Sequence, residues 1–151
     1  MAGASPDSSD QQPRAVAVRW KHPDLLADGF VGVPVLFLKH YAHLKPFSLT
    51  QSEAMFVVQL MAFKWDAAAP FPGYKRLAGR MGISVKRARQ IGQSLSTKKL
   101  LRRKVRVGNT NIFDLSPLFD ALLVAAREDL AARAAKRRDE DAEEAAAGAA
   151  W

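Results

Sequence analysis

The stretch YKRLAGRMGISVKRARQIGQSL, residues 74–95, permits very few folded forms. Leu77, Ala78 and Met81 fall on one helical face, and Val85, Ala88, Ile91 and Leu95 recur at intervals of three and four residues. Between the two registers stand Gly82, Ile83 and Ser84. Gly82 accepts the left-handed conformation that ends a helix, and Ser84 is a side chain that caps the next one by accepting from its first free N–H groups. Ile83 plugs the turn, and the small side chain of Ala78 lets the two helices approach closely. Six cations and no acid occupy the same stretch. The pair therefore has an apolar face that requires a core and a basic face that requires water or an anion.

The flanking segments supply that core. Pro34 stands at the start of a helix over VLFLKHYAHL (35–44), which Pro46 terminates. Thr50 and Glu53 have capping-box spacing, and EAMFVVQLMAFKW is apolar nearly all round, which predicts a central buried helix over 50–65. AAAPFPG (67–73) is a connector. Downstream, LLRRKVRV (100–107) alternates in part, Gly108-Asn109-Thr110-Asn111 forms a turn cluster, and IFDL (112–115) follows, which is the pattern of a β-hairpin. A last helix is expected from Leu118 to about Lys136, with Leu118, Leu122, Ala126, Leu130 and Ala134 as an i, i+4 stripe. AVAVRW (15–20) reads as a short strand or an arm lying on the domain. The expected class is mainly α with a small β-hairpin. The expected organisation is a disordered tail over 1–14, a domain over 15–116, a C-terminal helix over 117–138 and a flexible tail over 139–151.

Charge narrows the partner. The chain carries a formal net charge of +8, but the sign is not spread evenly. Twelve Lys and Arg lie between Phe71 and Phe113, with no acid between Asp66 and Asp114. The remaining 11 cations face all 15 acids, a net of −4. A solvated face ordinarily mixes both signs, so a block of one sign points to a polyanion. Enzyme readings find little support. There is no cysteine, hence no thiolate nucleophile or thiolate metal site. His40 and His43 share a helix face without a nearby third ligand, so no metal is expected. No serine has a nucleophile-elbow context, and GNTN is a hairpin turn rather than a phosphate-binding loop. No cofactor is implied. No apolar run spans a membrane and no secretory signal opens the chain, so the expected address is the cytoplasm.

A helix, a glycine turn, a Ser-capped helix and a basic hairpin, carried by LAGRMGISVKRARQIGQSL and LLRRKVRVGNTNIFDL, resemble the winged helix-turn-helix family of DNA-binding proteins. The upstream GFVGVPVLFLKHY, the central helix and FPGYKRLAGRMGIS are similar to the helix-turn-helix group of plasmid and phage replication proteins and small bacterial regulators. The resemblance implies a winged helix-turn-helix with an added C-terminal helix, its second motif helix lying in the major groove of double-stranded DNA. Base reading then falls to Ser84, Lys86, Arg89, Gln90 and Gln93. Backbone contacts fall to Tyr74, Lys75, Arg76 and Arg87, and on the wing to Arg102, Arg103, Lys104, Arg106, Asn109 and Asn111. Gly92 departs from the pattern, since such helices usually carry a bulkier residue there.

The implied function is sequence-specific DNA binding by a bacterial transcriptional regulator. The alternative is a plasmid or phage replication-initiation or maintenance protein acting at an origin or centromere. A winged helix that grips only protein would not need so many unopposed cations. Such proteins commonly bind as homodimers, and Leu118, Leu122, Ala126 and Leu130 offer a dimer surface, with packing back onto Phe56 and Leu60 as the alternative.

Overall fold

The computed structural model describes residues 19–63, 72–104, 108 and 112–149. The chain divides into two units, Met1–Val31 and Gly32–Trp151. In the first, a short 3-10 turn spans Pro23–Leu26 and buries no residue. Most of the expected arm at 15–20 lies outside the described residues, as do the expected tail at 1–14, residues 64–65 of the span expected for the central helix and most of the connector after it.

The second unit is mainly helical with one two-stranded hairpin, the architecture expected from the sequence. Helix α1 spans Val35–His40, with Pro34 at its N-cap and a 3-10 turn over Tyr41–His43 behind it. Helix α2, Gln51–Ala62, opens on the anticipated capping box: the Thr50 hydroxyl accepts from the Glu53 N–H at 3.2 Å, and the Glu53 carboxylate accepts from the Thr50 N–H at 2.9 Å. Helices α3, Tyr74–Met81, and α4, Val85–Thr97, form the pair across the turn. Strands β1, Arg102–Lys104, and β2, Ile112–Asp114, pair antiparallel with Arg103 opposite Phe113. Helix α5, Ser116–Ala149, closes the described chain.

The turn between α3 and α4 is a Schellman end. Gly82 sits at φ 65°, its N–H reaching the Gly79 carbonyl and the Ile83 N–H reaching the Ala78 carbonyl at 3.1 Å. Ser84 then caps α4, its hydroxyl accepting from the Arg87 N–H at 3.0 Å. Helix α4 ends the same way, but with Lys99 at φ 58° where glycine would be unstrained. Helices α2, α3 and α4 pack on one another around Phe56, Leu60, Leu77, Ile91 and Leu95, and Phe113 of the hairpin seals one side.

Two expectations about α5 require correction. Leu118 and Leu122 are buried in the core with Ala126 beside them, and α1 packs along this face with Phe37 fully buried. The central helices leave an apolar side uncovered, and α5 satisfies it within the chain; of the proposed dimer stripe only Leu130 and Ala134 remain exposed. The helix also continues to Ala149, so residues 139–149 of the expected tail are helical although every described residue from Ala131 to Ala149 is exposed. Alanine has the highest helix propensity, and the i, i+4 pairs Asp129–Arg133 at 3.0 Å and Lys136–Glu140 at 3.9 Å support the solvated turns. Among the described residues no helix is long and apolar enough to cross a membrane, and no group of three or more His, Cys, Asp or Glu side chains is arranged to hold a metal.

Candidate nucleic-acid interface

Helix α4 divides sharply by face. Ala88, Ile91, Gly92 and Leu95 are buried, whereas Lys86, Arg87, Arg89, Gln90 and Gln93 are exposed. The outer face lines an open groove of about 760 Å³ bounded by Lys86, Arg89, Gln90, Gln93, Thr97, the ring of Phe47 and Arg103 from the hairpin. Four of the five residues assigned to base reading therefore share one surface. Ser84 does not line the groove, and its hydroxyl is committed to the cap. Among the described residues no acid lines this surface.

Position 92 explains how the hairpin is held against α4. A Cβ there would lie 2.6 Å from the Tyr74 hydroxyl, so only glycine lets the tyrosine ring cross the helix. Tyr74 packs edge-on against Phe113, ring centroids 5.5 Å apart, and tilted against Phe56 at 6.4 Å. Arg103 donates to the Tyr74 hydroxyl at 3.2 Å. Because Arg103 is cross-strand from the buried Phe113, its stem shares that strand face and leads it inward, while Arg102 and Lys104 alternate to the other side. The expected backbone contact from Tyr74 is thus corrected: the ring is buried, and its hydroxyl is engaged by the hairpin. Lys75 and Arg76 remain exposed on α3. Arg106, Asn109 and Asn111 lie outside the described residues.

The basic block is less unopposed in space than along the chain. Lys98 turns inward, donating to the Glu53 carboxylate at 2.6 Å and to the Ser48 carbonyl at 2.8 Å. Ser94 donates to the other Glu53 oxygen at 3.0 Å. Burial pushes the Glu53 carboxyl up, but the Lys98 ammonium, the Thr50 N–H and hydroxyl and the Ser94 hydroxyl together outweigh it and hold it below the ordinary value of 4.5. Arg102 lies 3.9 Å from Asp114 in an exposed pair. Two residues were missed by sequence reasoning. Arg80 stacks over the Phe63 ring at 4.6 Å beside Arg76 at 4.8 Å, which its i+4 spacing from Arg76 could have signalled. Phe47 reaches the groove from the loop before α2, and no local pattern marks it.

The comparisons with known proteins agree with this architecture. The family model described as the DnaD N-terminal domain matches residues 33–132. Among solved structures, the crystal structure of the N-terminal domain of DnaD protein from Geobacillus kaustophilus is similar, with a TM-score of 0.58 at 24% identity, covering 76% of this chain and 96% of that one. At that identity the likeness carries the fold alone. No curated protein sequence matches the chain.

Proposed function

The chain belongs to the DnaD N-terminal domain family, and from that premise we propose that it is a non-catalytic winged helix that binds double-stranded DNA in the service of replication. The family favours the replication alternative over the transcriptional regulator that the motif placed first, and neither a regulatory nor a plasmid setting gains support. The observation that carries the DNA-binding reading is the convergence of Lys86, Arg89, Gln90, Gln93 and Arg103 on one groove with no acid among its described lining. Lys, Arg and Gln are the side chains that match base edges in the major groove, and the flanking cations Lys75, Arg87, Arg102 and Lys104 match the phosphates beside it.

Salt dependence is the direct test. About six phosphate contacts at ~0.9 each give a slope of about −5 for log affinity against log salt, and a slope flatter than about −2 rejects the reading. Selection from a randomised duplex library then separates reading from gripping. Arg89→Ala or Gln90→Ala is expected to cost ~1–3 kcal/mol on the best site and relax one or two base pairs, whereas Lys104→Ala weakens all sequences alike. A homodimer on half-sites about 34 Å apart belongs to the same reading, through a surface that excludes the buried Leu118 and Leu122. Light scattering on the full chain tests it, a monomer at every concentration removing it.

A further inference from the structure

Phe47 has no role in the core and no counterpart in the motif. The residue is 48% exposed, and among the described residues of Gly32–Trp151 no other aromatic residue is as open to solvent. It is not at the tip of a loose loop. One residue later the Lys98 ammonium donates to the Ser48 carbonyl at 2.8 Å, the Leu49 N–H donates to the Tyr41 carbonyl at 2.8 Å with its side chain buried, and Thr50 begins the capping box. The backbone that carries the ring is therefore anchored at the rim of the α4 groove, where Phe47 lines the same surface as Arg89, Gln90, Gln93 and Thr97. The groove thus has one apolar corner in an otherwise polar and cationic lining.

The edges of base pairs in a major groove present hydrogen-bond donors and acceptors and a single apolar group, the C5 methyl of thymine. An apolar ring carried beside donors suited to bases has one complementary feature there. Resting on the duplex-binding reading above, we propose that Phe47 is a specificity-determining residue that contacts a thymine methyl, extending base reading from α4 to the loop before α2. The site prefers A·T with thymine on the strand facing Phe47, next to the pairs read by Gln90 and Gln93. Burying one methyl group against the ring corresponds to about a fourfold gain in affinity.

The test uses the full chain and a duplex taken from library selection. Uracil replaces thymine at each position in turn, removing the methyl and leaving every hydrogen-bonding group in place. For the wild-type protein, one position is expected to lose about fourfold on replacement. Phe47→Ala loses the same amount on the thymine duplex and nothing further on the uracil duplex, and Phe47→Leu restores most of the thymine preference. If no position responds to uracil, or if Phe47→Ala loses equally on both duplexes, the proposal is overturned. A Phe47-dependent affinity for single strands lacking thymine also overturns it, because the ring would then be stacking on bases. The salt slope of wild type on the same duplex separates the two levels: a steep slope with no uracil effect removes only the role of Phe47, and a flat slope removes the duplex reading beneath it.

Discussion

Replacing Lys98 with methionine isolates the one charged side chain that the described core buries. Glu53 is 4% exposed and Lys98 22%, and their 2.6 Å contact joins the start of α2 to the end of α4. Removing one partner of a buried pair costs about 3–5 kcal/mol, because the other charge is left in a poor solvent. Here the Thr50 N–H and the Ser94 hydroxyl still donate to the carboxylate, so the lower end applies, about 3 kcal/mol. With a urea slope of ~2 kcal/mol/M this lowers the unfolding midpoint by about 1.5 M. The pH dependence gives an independent check. In the wild-type protein the folded-state carboxyl titrates below its ordinary value of 4.5, so its contribution is complete above that pH and is lost as pH falls through the lowered value. Without the ammonium, the largest of the lowering influences is gone, so the folded-state value lies higher than in the wild-type protein and the variant loses less stability as pH falls. The gap between the two proteins should therefore narrow from pH 7 to pH 4. Glu53→Gln with Lys98→Met should be less damaging than Lys98→Met alone, since no orphaned charge remains. Urea titrations at the two pH values decide the matter. A loss below about 1 kcal/mol at pH 7, or a gap that widens on acidification, refutes the account of Glu53 as a buried charge held by Lys98.

Three further outcomes follow from the packing. Gly92→Ala, which on helix propensity alone would gain about 1 kcal/mol, should instead destabilise by ~1–3 kcal/mol because its Cβ meets the Tyr74 hydroxyl at 2.6 Å. Adding Tyr74→Phe should recover part of that loss in chemical denaturation, since the hydroxyl is the nearest obstacle. Lys99→Gly should stabilise by up to about 1 kcal/mol, read as a raised urea midpoint, because the position is left-handed and lies outside the groove. Ending the chain before Leu118 should unfold the domain, whereas ending it near Ala135 should leave the melting of the core almost unchanged, because no described residue beyond Ala131 is buried. Circular dichroism distinguishes the two truncations.

Local sequence determined the elements and several of their caps and turns. The Thr50–Glu53 box, the left-handed Gly82, the Ser84 cap and the Gly108 turn act over three or four residues, and hydrogen bonds of that range are complete in a short segment whatever surrounds it. The periodicity of α4 likewise decided which face would carry Lys86, Arg89, Gln90 and Gln93, because helix geometry alone separates them from Ala88, Ile91 and Leu95. What tertiary structure decided is where each side chain finds its partner across long stretches of chain. Tyr74 turns inward only because position 92 lacks a Cβ, and Lys98 leaves the basic face only because Glu53, 45 residues away, brings a carboxylate beneath it. The leucines of α5 looked free because an apolar stripe is equally suited to a second copy or to its own core, and only the uncovered side of the central helices chose between them. Phe47 became part of the candidate site in the same way, placed on the groove by a loop whose anchors, Lys98 and Tyr41, lie outside its own local sequence.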